Sequence, residues 1–142
     1  KLPIDEINGL LADVALHEEV AAFIRRHREN CAIATGNLSC WVAKLVERLG
    51  CEVYCSEGQI ENNQVVKLTD ILKKESVVER YRAEGHRVVF IGDGNNDVEA
   101  MRAADVAIAS GLTHAPTASV ISVADYLVLN EVALCRQLNQ LL

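Results

Sequence analysis

The apolar run Val88-Val89-Phe90-Ile91 stops abruptly at Gly92-Asp93-Gly94-Asn95-Asn96-Asp97, and this join constrains the fold more than any other part of the chain. Four successive apolar residues suit a buried strand, and Val98 to Ala104 behind them reads as a helix. The acids and amides therefore fall on a strand-to-helix turn, the place where open α/β sheets position their ligands.

Gly92 and Gly94 allow positive φ and close backbone approach, while two carboxylates and two amides offer the hard oxygen ligands that Mg²⁺ selects. Other readings of the turn fare worse. A dinucleotide fingerprint needs a third glycine where Asp97 stands, and a carboxylate there would repel a pyrophosphate. A calcium loop counted from Asp93 wants Gly at Val98 and Glu at Ala104. The plainest alternative is a polar turn in which Asp97 only caps the following helix.

The chain has 142 residues, half of them apolar, which is one ordinary domain with a real core. A net charge of −6 and the lack of a basic stripe argue against nucleic acid or an anionic membrane as partner. Arg25, Arg26 and Arg28 stand beside Glu18, Glu19 and Glu29, as on a solvated helix face. Five cysteines, Cys31, Cys40, Cys51, Cys55 and Cys135, contain no C-x-x-C pair and read as small hydrophobes in a reducing compartment. No apolar run approaches the roughly 20 residues of a membrane span, and no signal peptide is seen, so the cytoplasm is the expected location.

Strands and helices alternate along the chain. Cys31 to Ala34 reads as a strand, Ser39 to Leu49 as a helix stopped by Gly50, and Glu52 to Cys55 as a second strand. Ser56 to Val66 looks like a small antiparallel flap turning at Glu61-Asn62-Asn63, because Asn tolerates the left-handed region. Lys74 to Glu84 reads as a helix ending at Gly85, and Arg87 to Ile91 as the strand before the acidic turn. Asp105 to Ala109 and Asp125 to Leu129 are further strands, and Asn130 is placed to cap a closing helix from Glu131 to Leu141. Ile4 to Leu16 reads as helix and loop, leading to a helix from His17 to Arg28. The pattern predicts a three-layer, doubly wound parallel sheet with a small β-hairpin flap.

Two further segments carry chemistry. Thr35-Gly36-Asn37 ends a strand and opens a helix, which brings a hydroxyl, free backbone N–H groups and a positive dipole end into one phosphate seat. Its bland reading is a strand end with Asn37 or Ser39 as a cap. Of Lys73 and Lys74, the second precedes Val77 and Val78 at the spacing that turns both valines inward, so its ammonium opens a helix near the sheet's ligand edge. A lysine there can offset phosphate and carboxylate charge, although such pairs are commonly solvated surface. His17, His27, His86 and His114 show no metal-ligand spacing and read as surface or capping groups, and Trp41 as core or rim packing. Ser110-Gly111-Leu112-Thr113-His114 follows a strand end, a position that borders the site, but the same composition describes a plain loop, and the segment is left unassigned.

Taken in order, the three segments resemble the haloacid dehalogenase superfamily of phosphohydrolases, particularly its phosphoserine-phosphatase-like branch. Cys31-Ala-Ile-Ala-Thr35-Gly-Asn37 is similar to the second family motif, Lys74-Glu-Ser-Val-Val78 to the third, and Gly92-Asp-Gly-Asn-Asn-Asp97 to the fourth. The resemblance implies a Mg²⁺-dependent hydrolase of a small phosphorylated substrate. Thr35 would hydrogen-bond the transferring phosphoryl oxygens, with Gly36 and Asn37 beside it, and Lys74 would neutralise charge. Asp93 would bind Mg²⁺, Asp97 would support the metal or Lys74, and Asn96 would add a polar contact.

The family's first motif, a strand ending in Asp-x-Asp, is absent: the aspartates stand at 5, 13, 70, 93, 97, 105 and 125. Its first Asp attacks phosphorus and its second acts as acid and base. The resemblance therefore implies that residues 1–142 form one core domain lacking its central strand and its substrate-choosing cap. The chain starts with Lys1 rather than Met, and the missing strand is expected upstream of it. Two alternatives follow: a scaffold that keeps the metal corner without the nucleophile, and a soluble relative of the phosphorylation domain of P-type ATPases, whose hinge Gly92 to Asp97 followed by Ala104 to Ala109 also resembles.

Overall fold

The computed structural model describes residues 2–142, so Lys1 and the strand expected upstream of it lie outside the described residues. The architecture is α/β, and it divides into two compact units between Leu72 and Lys73.

The first unit contains α1 (Ile4–Ala12), α2 (Glu18–Arg26), a short 3-10 turn (Arg28–Asn30), β1 (Ala32–Leu38), α3 (Ser39–Glu47), β2 (Glu52–Glu61) and β3 (Gln64–Asp70). β1 and β2 pair in parallel, Ala32 against Glu52 and Ala34 against Tyr54, with α3 as the crossover between them. β2 then folds back on β3 as the expected antiparallel hairpin, Glu61 facing Gln64. Asn62 and Asn63 at its tip have φ of 49° and 60°. Both therefore occupy the left-handed region, which a two-residue turn needs if its twist is to match the strands.

α1 is fastened to this frame by polar contacts. The Ile4 N–H donates to the Asn63 carbonyl at 2.8 Å. Buried Asn8 donates to the carbonyls of Ile4 and Cys40, and its Oδ1 accepts from the Lys44 N–H. These bonds satisfy an amide that the helix interior cannot.

Two expectations need adjustment in this unit. The first strand continues past Ala34 to Leu38, which pairs with Ser56, and its register against β2 is irregular between those two residues. The short strand Glu52–Cys55 and the first arm of the flap are one continuous strand.

The second unit contains α4 (Lys74–Ala83), β4 (Val89–Gly92), α5 (Val98–Ala103), β5 (Val106–Ser110), α6 (Ala118–Val123), β6 (Tyr126–Val128) and α7 (Glu131–Leu141). Its strands lie in the order β4-β5-β6, all parallel. The central strand explains its own apolar run: Ile108 and Ala109 have no solvent exposure. Met101, Ala107, Ala109 and Val120 form the core, with Phe90 and Val98 packed against it. Gly85 ends α4 at a φ of 91°, and Asn130 caps α7 by accepting from the Ala133 N–H at 2.8 Å. α6 was not anticipated from the sequence.

β4 is less buried than its composition implies. Among the described residues it pairs only with β5, and Ile91 remains 37% exposed. In the first unit, again among the described residues, β1 pairs on one side only, with β2. All five cysteines are free and partly buried, and burial, as the leading cause, raises the thiols of Cys31, Cys40, Cys51 and Cys55. No described helix is long and apolar enough to cross a membrane.

Candidate active site

β4 ends at Gly92, and the chain then makes one 3-10 turn, Asn95–Asp97, before α5 begins. The turn folds the Asp97 side chain back over the strand end. A Cβ on Gly92 would lie 2.5 Å from the Asp97 Cβ and 2.8 Å from its Oδ2. Only glycine leaves room for the carboxylate.

That carboxylate is fully engaged. Oδ2 accepts from the Asp93 N–H at 3.0 Å and the Gly94 N–H at 3.1 Å. Oδ1 accepts from the Lys74 ammonium at 2.7 Å, and the two side chains are only 15% and 6% exposed. Asp97 makes no side-chain cap on α5, so the plain capping role is not the one it plays. Lys74 reaches it from the first residue of α4, where buried Val77 and Val78 fix the helix face. Burial pulls the Asp97 carboxyl upward. The hydrogen bonds from Lys74, Gly94 and Asp93, with the Lys74 charge, outweigh that and hold it below the usual carboxylate range.

Asp93 is arranged differently. Its backbone carbonyl accepts from the Thr117 N–H at 3.0 Å. Its side chain is 36% exposed, with Oδ2 3.3 Å from the Nε2 of His114. His114 sits in the loop after β5, which the sequence left open between a segment bordering the site and a plain loop. Searching histidines for metal-ligand spacing overlooks it, whereas the position of its loop after the strand paired with β4 was the usable signal. The same segment contacts the turn again through Ser119, whose Oγ donates to the Asn95 Oδ1 and lies 3.0 Å from the Thr117 Oγ1. Asn96 is exposed.

Thr35, Gly36 and Asn37 belong to the first unit. The Thr35 Oγ1 accepts from the Asn37 N–H and from the Asn37 Nδ2, each at 3.1 Å. Gly36 and Asn37 are exposed. The structure thus brings Lys74, Asp93 and Asp97 together within the second unit, and ties Thr35 to Asn37 within the first. The first unit also holds an apolar hollow of about 450 Å³, lined by Leu38, Trp41, Val66 and Leu68 among others. It offers little polar chemistry, and Trp41 serves there as rim packing.

The donor set fits a hard divalent cation. Asp93 presents a partly exposed carboxylate, whereas both Asp97 oxygens are committed to N–H donors. Among the described residues no three acidic, histidine or cysteine side chains converge on one point. Mg²⁺ suits such a site, since it keeps several waters and is held by one or two carboxylates plus substrate phosphate.

Comparison with known proteins gives the family. Residues 3–105 match the haloacid dehalogenase-like hydrolases. A search of curated proteins found no significant match. Among solved structures, a substrate-bound phosphoserine phosphatase is similar at a TM-score of 0.78 and 18% identity, over 96% of this chain and 70% of that one. Phosphoserine phosphatase from T. onnurineus is similar at 0.68 and 20% identity, over 95% and 64%. The catalytic domain of the CPx-ATPase CopB-B is similar at 0.59 and 23%, over 84% and 42%. The structural likenesses concern the fold, and the family match, covering most of the sequence and including Lys74, Asp93 and Asp97, places this chain among the haloacid dehalogenase-like hydrolases.

Proposed function

We propose that the protein is a Mg²⁺-dependent phosphomonoester hydrolase acting on a small phosphorylated metabolite through an aspartyl-phosphate intermediate. The observation that supports this reading best is the ion pair between Lys74 and Asp97, held at 2.7 Å and bonded in turn to the Asp93 and Gly94 amides. It pre-positions an ammonium beside a carboxylate suited to a cation, and phosphoryl transfer depends mainly on such positioning and on charge stabilisation.

In this reading Asp93 holds Mg²⁺ and Asp97 holds Lys74 and the Asp93 backbone in place. Lys74 offsets the negative charge of the phosphoryl group. Thr35 hydrogen-bonds a phosphoryl oxygen, with the Gly36 and Asn37 amides and Asn96 as further contacts. When bound, Mg²⁺ supplies Lewis-acid stabilisation of charge on the phosphoryl oxygens. The attacking carboxylate comes from an Asp-x-Asp strand outside this sequence, as does the cap that selects the substrate. Residues 1–142 are then the core domain of a cytoplasmic enzyme, a reading that the five free cysteines support.

The likeness to the CopB-B domain supports a second reading, a soluble ATPase-like phosphatase domain. Phosphate release from small phosphomonoesters and from ATP, with and without Mg²⁺, separates the two. The assay is run on the 142-residue chain and on a chain extended by whatever its gene encodes upstream. Activity toward monoesters, appearing only with the extension, is the expected result. No activity in either chain would leave the metal corner as part of a non-catalytic scaffold.

A further inference from the structure

We infer that His114 is a positioning residue for Asp93, which fixes the carboxylate through Oδ2 so that Oδ1 is the oxygen turned to the cation. The inference rests on the reading of Asp93 as a cation ligand. Its own ground is the segment that carries His114. Gly111 anchors one end, its N–H donating to the Val128 carbonyl at 2.8 Å, and a Cβ there would lie 2.9 Å from the Leu129 side chain. Thr117 anchors the other end, its N–H donating to the Asp93 carbonyl at 3.0 Å.

Ser119 adds a third hold through Asn95. The strap is thus short, bound at both ends, and attached to the acidic turn itself. His114 stands near its middle, with Nε2 3.3 Å from the Asp93 Oδ2. At that distance the Nε2 edge of the ring faces one carboxylate oxygen and can present an N–H to it, while the strap places no partner on the other. Hydrogen-bonded partners of ligating carboxylates orient them, and their removal typically lowers metal affinity about 10- to 100-fold.

The role can be read from cation binding without any turnover. Mn²⁺ is titrated into the chain at one fixed pH, and binding is followed by free-Mn²⁺ spin resonance and by paramagnetic broadening of the Asp93 and Gly94 amide signals. Asp93→Asn should abolish the broadening. His114→Ala should weaken Mn²⁺ binding about tenfold, and His114→Gln, whose Nε2 amide donates from nearly the same place, should restore most of it. An unchanged or tighter affinity in His114→Ala, or no rescue by His114→Gln, would overturn the role of His114 while leaving Asp93 as ligand. Full binding by Asp93→Asn, or no Mn²⁺ binding by the unmodified chain, would overturn the reading of Asp93 and the inference with it.

Discussion

The turn from Gly92 to Asp97 at the end of β4 and the local turn that the Thr35 hydroxyl makes with Asn37 inside β1 both carry polar groups, yet they are built to opposite plans. In the first, a nearly buried carboxylate accepts three hydrogen bonds, one from the ammonium of a different helix. In the second, a hydroxyl is bonded only to a neighbour two residues along, and two of the three residues are exposed. One turn is wired into its fold before any ligand arrives. The other keeps its donors at the surface, where exchanging a local bond for a ligand costs little.

The contrast is sharpest at Asp97. Asp97→Asn would leave the Lys74 ammonium without its counter-charge, and unfolding in urea should show a loss of about 2–4 kcal/mol. An unchanged midpoint would place the two turns on the same footing. Gly92→Ala should follow, at about 1–3 kcal/mol, because the added methyl group enters space held by the Asp97 side chain.

A third test uses acid. Because Asp97 is held below the usual carboxylate range, its stabilisation is complete above the unfolded-state value of about 3.9 and is lost as pH falls through the folded value. The difference in Tm between the parent and Asp97→Asn should stay level from about pH 5 to 8 and shrink below about pH 4. A difference that widened in acid would contradict the assignment. The smallest effect on the fold belongs to the other turn: Thr35→Val should alter stability by no more than about 0.5 kcal/mol, while lowering phosphatase activity of the extended chain. A stability loss comparable to that of Gly92→Ala would mean that Thr35 is structural.

What the sequence revealed follows the same division. The α/β class, the Asn62-Asn63 turn, the Asn130 cap and the stop at Gly85 were readable, because each depends on residues adjacent in the chain. The family was readable because glycine and aspartate at fixed spacing leave few alternatives at a strand end. The partnership of Lys74 with Asp97 was expected only through the family resemblance, since a contact across 23 positions is not written in local pattern. His114 was missed for a related reason. Its contact with Asp93 depends on a loop pinned at Gly111 and Thr117 by backbone bonds, which carry no sequence signature. The extension of β1 to Leu38 likewise reflects a pairing distant in sequence, Leu38 with Ser56 of β2, across an irregular stretch that contains Thr35, Gly36 and Asn37.

The two-asparagine tip of the β2–β3 hairpin bears on how the first unit acquires its shape. A loop this short loses little chain entropy on closing, and hairpins form on the order of 1–10 μs. Pairing β1 with β2 spans the whole of α3, so it is the slower step by its greater sequence separation. The Asn63 carbonyl that receives the Ile4 N–H lies at that tip, so closing the tip fixes where it points. Two residues at a bend thereby help to decide where the amino-terminal helix finds its seat.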